Sequence, residues 1–159
     1  MRKLILKMSV SIDGFVGGPN GELDWIFGAM DDDAAGWTVE TVSQAGIHLM
    51  GSHTYYDMAA WWPTSTEVFA PPMNEIPKAV ATTRTTADFF RTHETTQAVK
   101  DALRAHAASQ TASRTEAVAR SWSEPTVLTG DLVSEIGRLK QQSGKISLRT
   151  AVPALRKAW

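Results

Sequence analysis

The 159-residue sequence contains no cysteine, which excludes disulfides, thiolate-bound metal ions and a cysteine nucleophile. It also lacks an excess of charge of either sign, since 16 Lys and Arg stand against 17 Asp and Glu. A protein that binds nucleic acid or an anionic membrane normally carries a basic excess, so we expect neither partner. No apolar run approaches the roughly 18 residues of a membrane-spanning helix. These absences predict a cytoplasmic protein without a membrane segment.

Common signatures of nucleotide and catalytic sites are missing as well. The chain has neither GxGxxG nor GxxxxGK followed by Ser or Thr, and it has no GxSxG nucleophile elbow. No spacing of His, Asp and Glu resembles a metal site. The composition, 43% hydrophobic and 21% charged, is that of an ordinary globular protein, and the length suits one domain.

Strand-like and helix-like segments alternate four times along the chain. The strand-like segments are 4–11, 47–50, 78–83 and 126–128, and the helix-like segments are 31–45, 51–60, 94–108 and 131–142. This alternation predicts an α/β fold with a mostly parallel central sheet flanked by helices, in which ligands bind at the carboxyl ends of the strands. Residues 109–123 show no clear period, and we interpret them as an insertion, part helix and part loop.

The sharpest local signal is the junction at 47–54, where a short strand runs into a helix start that carries hydroxyls. The residues that follow the strand are Gly51, Ser52, His53 and Thr54. Free backbone N–H groups and the helix dipole favour a phosphate at such a position, and the two hydroxyls could add donors. The alternative is a plain strand-to-helix turn in which Thr54 caps the helix.

A second signal, Asp13 followed by Gly14, comes at the carboxyl end of the first strand. Ligands of α/β sheets bind at that end, and the carboxylate could orient a heterocycle or act in proton transfer. The alternative is an ordinary Asp-Gly turn. We interpret His48 as a core histidine with satisfied hydrogen bonds, and Trp61 and Trp62 as core residues.

Several short motifs follow one another along the chain in a specific order. They are MSVSIDGFV at 8–16, GELDW at 21–25, MGSHTY at 50–55, WP at 62–63, IPKAV at 76–80, TRT at 83–85, GDL at 130–132 and LK at 139–140. In this order they resemble the bacterial dihydrofolate-reductase-like proteins related to the reductase domain of riboflavin biosynthesis, the RibD C-terminal domain. The resemblance covers most of residues 1–145, apart from the insertion at about 86–123.

The resemblance implies a dihydrofolate-reductase-like fold and an NADPH-dependent oxidoreductase acting on a small heterocycle of the pteridine or 5-amino-6-ribosylaminouracil type. It implies a set of cofactor-binding residues: Gly51, Ser52, His53, Thr54, Thr83, Arg84, Thr85 and Gly130. On the substrate side it implies Ser11, Gly14 and Trp25. Asp13 is the candidate catalytic residue, which would orient the substrate or relay a proton.

Two departures qualify what the resemblance implies. The family usually has Arg at the position of Ser52, and a guanidinium is the better phosphate clamp, so the preference for NADPH over NADH is less firmly indicated. From residue 146 the chain no longer follows the family, in which a strand, His-Gly-Gly-Ala and closing strands come next. Shifted by one nucleotide, codons 146–159 can restore Asp-Ile-x-Ala-His-Gly-Gly-Ala, which predicts a frameshifted and truncated tail after Lys145.

The absence of the closing strands has its own consequences. Such a sheet keeps an open edge, and unpaired edges and exposed apolar surface recruit other chains, so we expect a homodimer or a swapped oligomer. Two other functions stay open at this point. One is a catalytically impaired remnant that only binds ligands or oligomerises, and the other is a nucleotide-binding module that uses the Gly51 turn without redox chemistry.

Overall fold

The computed structural model describes residues 1–19, 22, 24–91, 97, 100–101, 103–105, 107–108 and 112–150. The helix expected at 94–108 lies partly outside these residues, and those of its residues that are described are helical. Most of the tail for which a frameshift is predicted, residues 151–159, lies outside them.

Five parallel strands form one sheet in the order β1-β5-β2-β3-β4. The strands are β1 (Leu4–Lys7), β2 (Ala45–Gly51), β3 (Lys78–Ala81), β4 (Thr126–Leu128) and β5 (Ile146–Thr150). The four strands expected from the alternation are therefore all present, with β1 and β3 shorter than the apolar runs that signal them. The expected α/β fold with a parallel central sheet is confirmed.

Strand β5 lies inside the sheet, between β1 and β2. Leu4 of β1 is the Cα partner of Ser147, and Ala45 of β2 is the partner of Ile146. Residues 146–150, which the sequence predicts to belong to the tail, thus form a strand that pairs with both β1 and β2. β1 is an edge of the described sheet, with Leu4 and Leu6 exposed, and the homodimer or swapped oligomer stays a prediction.

Outside the stretch 97–108, the described residues form seven α-helices. They are α1 (Asp24–Ala29), α2 (Asp32–Ser43), α3 (Ser52–Trp61), α4 (Ala70–Glu75), α5 (Thr86–Arg91), α6 (Ala112–Ser123) and α7 (Leu132–Gln141). Two of them start at the acids that the sequence indicates. Asp31 accepts a hydrogen bond from the Ala34 amide at 2.8 Å, and Asp131 accepts one from the Ser134 amide at 2.9 Å.

The core has two parts, which differ in the helices that they bury. The larger part combines β2 and β3 with side chains of α2 to α6, among them Tyr55, Phe89 and Trp122. The smaller part contains Leu49 of β2 and Leu139 of α7. Helix α6, from the segment interpreted as an insertion, supplies Trp122 with 0% exposure, so this helix belongs to the core.

Among the helices that the structure describes, none has the length and apolar character of a membrane-spanning segment.

Two interpretations of single residues are wrong. Trp61 is 38% exposed because it is the last residue of α3, whereas Trp62 does pack against the larger core. His48 is fully buried, as expected of a core histidine, but neither of its ring nitrogens has a hydrogen-bond partner among the described residues. The described residues therefore do not satisfy its hydrogen bonds.

Candidate functional site

The parallel sheet brings the sequence-predicted site segments to one edge. Gly51 ends β2 and is the Cα partner of Ala81, which ends β3 and is in turn the partner of Leu128 at the end of β4. The Thr82 amide donates to the Leu128 carbonyl at 3.0 Å, which extends the pairing one residue further. The turn at Gly51, the loop after β3 and the loop at Gly130 therefore begin at one level. This is the edge at which α/β sheets bind ligands.

The loop after β1 reaches the same edge from two strands away. Because β5 separates β1 from β2, the two backbones are about 10 Å apart, twice the usual strand spacing. The predicted substrate residues of the first loop and the predicted cofactor residues after β2 and β3 are thus neighbours along the edge. Gly14 of the first loop and Gly51 after β2 are 37 residues apart in the sequence, and the fold places both segments at this edge.

The start of α3 is open and has no side-chain cap. Gly51 is the N-cap residue with extended backbone angles (φ −79°, ψ 163°), and no side chain makes a cap hydrogen bond there. A Cβ atom added to Gly51 would meet no atom of the described residues within 4 Å, so there is free space beside the N-cap residue. Thr54 is the third residue of α3 and does not occupy the N-cap position, and the alternative of a plain strand-to-helix turn stays open. Four amides of a helix start need partners, and an anion can supply them.

Helices α2 and α7 begin differently. Their N-cap carboxylates, Asp31 and Asp131, already accept hydrogen bonds from the first turn. The bonds from Ser134 hold the pKa of Asp131 below its usual range, so this terminus carries its own negative charge. Gly130 directly precedes it, and a Cβ there would come within 2.8 Å of Glu135 Oε1. A phosphate is therefore favoured at α3 and disfavoured at α7, and the cofactor contact of Gly130 stays a prediction.

The three predicted cofactor residues in the loop after β3 are of two kinds. The Thr85 hydroxyl begins α5: it accepts from the Asp88 amide at 3.1 Å and donates to the Asp88 carboxylate at 2.6 Å. Thr83 and Arg84 are exposed, and the Arg84 amide donates to Thr82 Oγ1 at 3.1 Å, which fixes the backbone of the loop. Thr85 thus has a structural role, while Thr83 and Arg84 face solvent at the candidate site.

The loop after β1 is a tight turn built around Ser11. The Ser11 hydroxyl lies 2.6 Å from Asp13 Oδ1 and accepts a hydrogen bond from the Phe15 amide at 3.0 Å. Gly14 has a φ of +90°, which residues other than glycine rarely adopt. The Asp-Gly turn alternative is therefore realised, and it holds the exposed Asp13 carboxylate in one position. Trp25 lies half-buried on α1, and its substrate contact stays a prediction.

Sequence reasoning missed Lys7, the last residue of β1. Its side chain is half-buried, its Nζ lies 3.4 Å from Ser9 Oγ, and burial lowers the pKa of its ammonium. A lysine in an otherwise apolar strand, at the end where ligands bind, was the available signal.

A second missed group is Asp57, one turn after His53 on α3. Burial raises the pKa of this carboxyl, and the charge of His53 lowers it by a smaller amount. The exposed His53 imidazole at the helix start therefore has an acidic neighbour one turn along the helix.

The comparison with known proteins agrees with this geometry. A family model, the RibD C-terminal domain, matches residues 2–150. This chain belongs to that family. The RibD C-terminal domain family comprises reductases of riboflavin biosynthesis with a dihydrofolate-reductase-like fold, and its match here extends through β5. A comparison with curated proteins finds no significant match.

Proposed function

We propose that this protein is a reductase that uses NADPH to reduce a small heterocycle of the pteridine or 5-amino-6-ribosylaminouracil type. The observation that carries the proposal is the start of α3 at Gly51, where the N-cap residue makes no side-chain hydrogen bond, on the same sheet edge as the loop that holds Asp13. Membership of the RibD C-terminal domain family supports the reaction class. The two loops would supply the two halves of the site.

The residues at the sheet edge suit a phosphorylated dinucleotide. The first-turn amides of α3, from Ser52 to Thr54, would bind its phosphates, and Thr83 and Arg84 would line its adenosine end. Ser52 supplies a hydroxyl where a guanidinium would bind more strongly, so the positive charge at this site comes from Arg84 and, when protonated, from His53. When bound, NADPH supplies the hydride, and the protein supplies position and electrostatics.

The substrate side would be formed by Asp13, Ser11 and Lys7. The hydrogen bond from Ser11 orients the Asp13 carboxylate, which could accept a hydrogen bond from an N–H group of the substrate ring. Reduction by hydride also requires a proton, and a half-buried ammonium with a lowered pKa releases one more readily than an ordinary lysine. We propose that Lys7 Nζ donates this proton and that Asp13 orients the substrate ring.

The direct test is NADPH oxidation in the presence of candidate heterocycles, followed by loss of the absorbance band of reduced nicotinamide. We expect oxidation that depends on one of these compounds, with NADH a poorer donor. NADPH binding without oxidation by any compound would favour the impaired remnant. Binding of mononucleotides as tightly as NADPH would favour the nucleotide-binding module, and either result would refute the reductase proposal.

The substitution Lys7→Met tests the proton donor. We expect the turnover number to fall about 100-fold, the lower range for removal of a general acid, with NADPH affinity unchanged. Lys3→Met is the matched control, because Lys3 is exposed and precedes β1. Equal turnover in both variants would show that Lys7 does not take part.

A further inference from the structure

Two basic side chains lie buried next to each other in the sheet, outside the candidate site. His48 of β2 and Lys78 of β3 are Cα partners, with 0% and 1% exposure. Met50 and Val80, two residues further along each strand, share their face and belong to the larger core. The pair lies three residues, or about 10 Å, before the strand ends that carry the candidate site.

The Lys78 ammonium links β3 to α6 through contacts with two residues of that helix. Nζ donates to the Ile76 carbonyl and to Ser121 Oγ, and it lies 4.1 Å from the centroid of the Trp122 ring. Ser121 Oγ also donates to the Ile76 carbonyl at 2.9 Å. These partners are neutral, so the ammonium has hydrogen bonds but no counter-charge among the described residues. Ser121 and Trp122 both belong to α6, which makes this cluster a docking point of that helix.

His48 has no such compensation. Both ring nitrogens are buried without a hydrogen-bond partner among the described residues, and the β5 residue opposite is Leu148. A charged imidazole would need acceptors for two N–H groups beside the Lys78 ammonium. Burial and the charge of Lys78 lower the pKa of His48 to about 3, and burial also lowers the pKa of Lys78.

The elements packed on this face offer no described counter-charge. The buried residues of the described chain include no Asp or Glu. Asp57 of α3 is only half-buried, Glu75 of α4 and Arg120 of α6 are exposed, and so are the charged side chains of α2 and α5. The hydroxyls of Tyr55 and Tyr56 both donate to backbone carbonyls. When His48 is protonated, its N–H groups therefore find no hydrogen-bond acceptor among the described residues while the helices stay docked.

We propose that His48 and Lys78 make the docking of α6 acid-sensitive, so that α6 stays on the sheet while His48 is neutral and leaves it when His48 is protonated. An open state would expose the imidazole and restore its ordinary pKa near 6.5. Because the docked state binds this proton less readily, docking is fully stable above that pH and weakens as the pH falls below it. Asp57 acts in the opposite direction, since a raised carboxyl pKa stabilises the fold at low pH.

Hydrogen exchange at pH 7.5 and 5.5, corrected for intrinsic exchange rates, tests the proposal. In the natural protein, the opening constant of α6 and of β4 is expected to rise about ten-fold more between these pH values than in His48→Leu, because an imidazole with an ordinary pKa takes up its proton across this range. His53→Gln is the matched control, since it removes an exposed histidine and should keep the full pH dependence.

His48→Gln gives a second variant that keeps a polar side chain in case the leucine variant does not fold. The imidazole signals of the natural protein give an independent measurement by NMR. We expect the His48 signal to stay that of a neutral ring while α6 is docked. Equal pH dependence in the natural protein and the folded His48 variants, or titration of His48 near pH 6.5 with α6 docked, would overturn the proposal.

Discussion

Replacement of Gly51 by Asp is expected to stabilise the fold slightly and to weaken NADPH binding about 100-fold. Position 51 is an N-cap with extended backbone angles and clear space for a Cβ atom, and α3 has no acidic residue in its first turn. An Asp there would cap the helix as Asp31 caps α2, which adds a few tenths of a kcal/mol over glycine. The same carboxylate would occupy the amides that the phosphates need.

The size of the binding loss follows from charge. Two unit charges of the same sign 4 Å apart near a protein surface repel by about 4 kcal/mol, and salt reduces this value. A 100-fold loss corresponds to about 2.7 kcal/mol, which is smaller than the repulsion before screening by salt. Gly51→Asn is the matched control, because an Asn caps equally well without charge and should lose much less affinity. Unchanged NADPH affinity in Gly51→Asp would place the phosphates elsewhere.

Replacement of Trp122 by Ala is expected to lower the free energy of unfolding by about 3–5 kcal/mol. The ring is fully buried on α6, its Nε1 donates to Asn74 Oδ1 at 2.8 Å, and its centroid lies 5.9 Å from that of Tyr55. The change removes these contacts together with the ring above which the Lys78 ammonium lies. Because a domain is stable by about 5–15 kcal/mol in total, the variant should be close to unfolding at 37 °C.

Urea denaturation measures this prediction, and Trp37→Ala is its control. Trp37 lies on α2 with 62% exposure, so its removal should change stability by no more than about 0.5 kcal/mol. If both variants lost the same small amount, α6 would be a surface addition rather than part of the core.

The sequence predicted the elements whose signals are local. Asp31 and Asp131 are acids immediately before helical segments, and both cap them. The apolar run at 47–50 lies inside β2. β5 was not predicted, because residues 146–150 were interpreted as a tail that departs from the family. The alternating apolar and polar residues of 146–149 are nevertheless typical of a strand.

The role of α6 could not be predicted because its apolar content is low. Apart from alanines, Val118 and Trp122 are its apolar residues, and they stand one turn apart on a helix otherwise rich in polar side chains. Two positions give too weak a period to identify a buried face. Tertiary contacts with Asn74 and Lys78 decide its place, and these residues are more than 40 positions away.

The location of the candidate site could be predicted, while the roles of its residues could not. Parallel strands send their following loops to one edge whatever the side chains are, so the loops that hold Gly51 and Asp13 both begin at that edge. Roles depend on contacts that the sequence does not show. The Thr85 hydroxyl accepts a hydrogen bond from the first turn of α5, and Lys7 is half-buried at the strand end.

The most direct test of the account is a titration of the ¹⁵N-labelled protein with NADPH, followed by the backbone amide signals. The account predicts that the amides of Ser52, His53 and Thr54 shift strongly, whereas those of the first turn of α7, which Asp131 caps, do not. NADPH binding that leaves the α3 amides unchanged, or shifts the α7 amides instead, would contradict the assignment of the phosphates to the Gly51 turn.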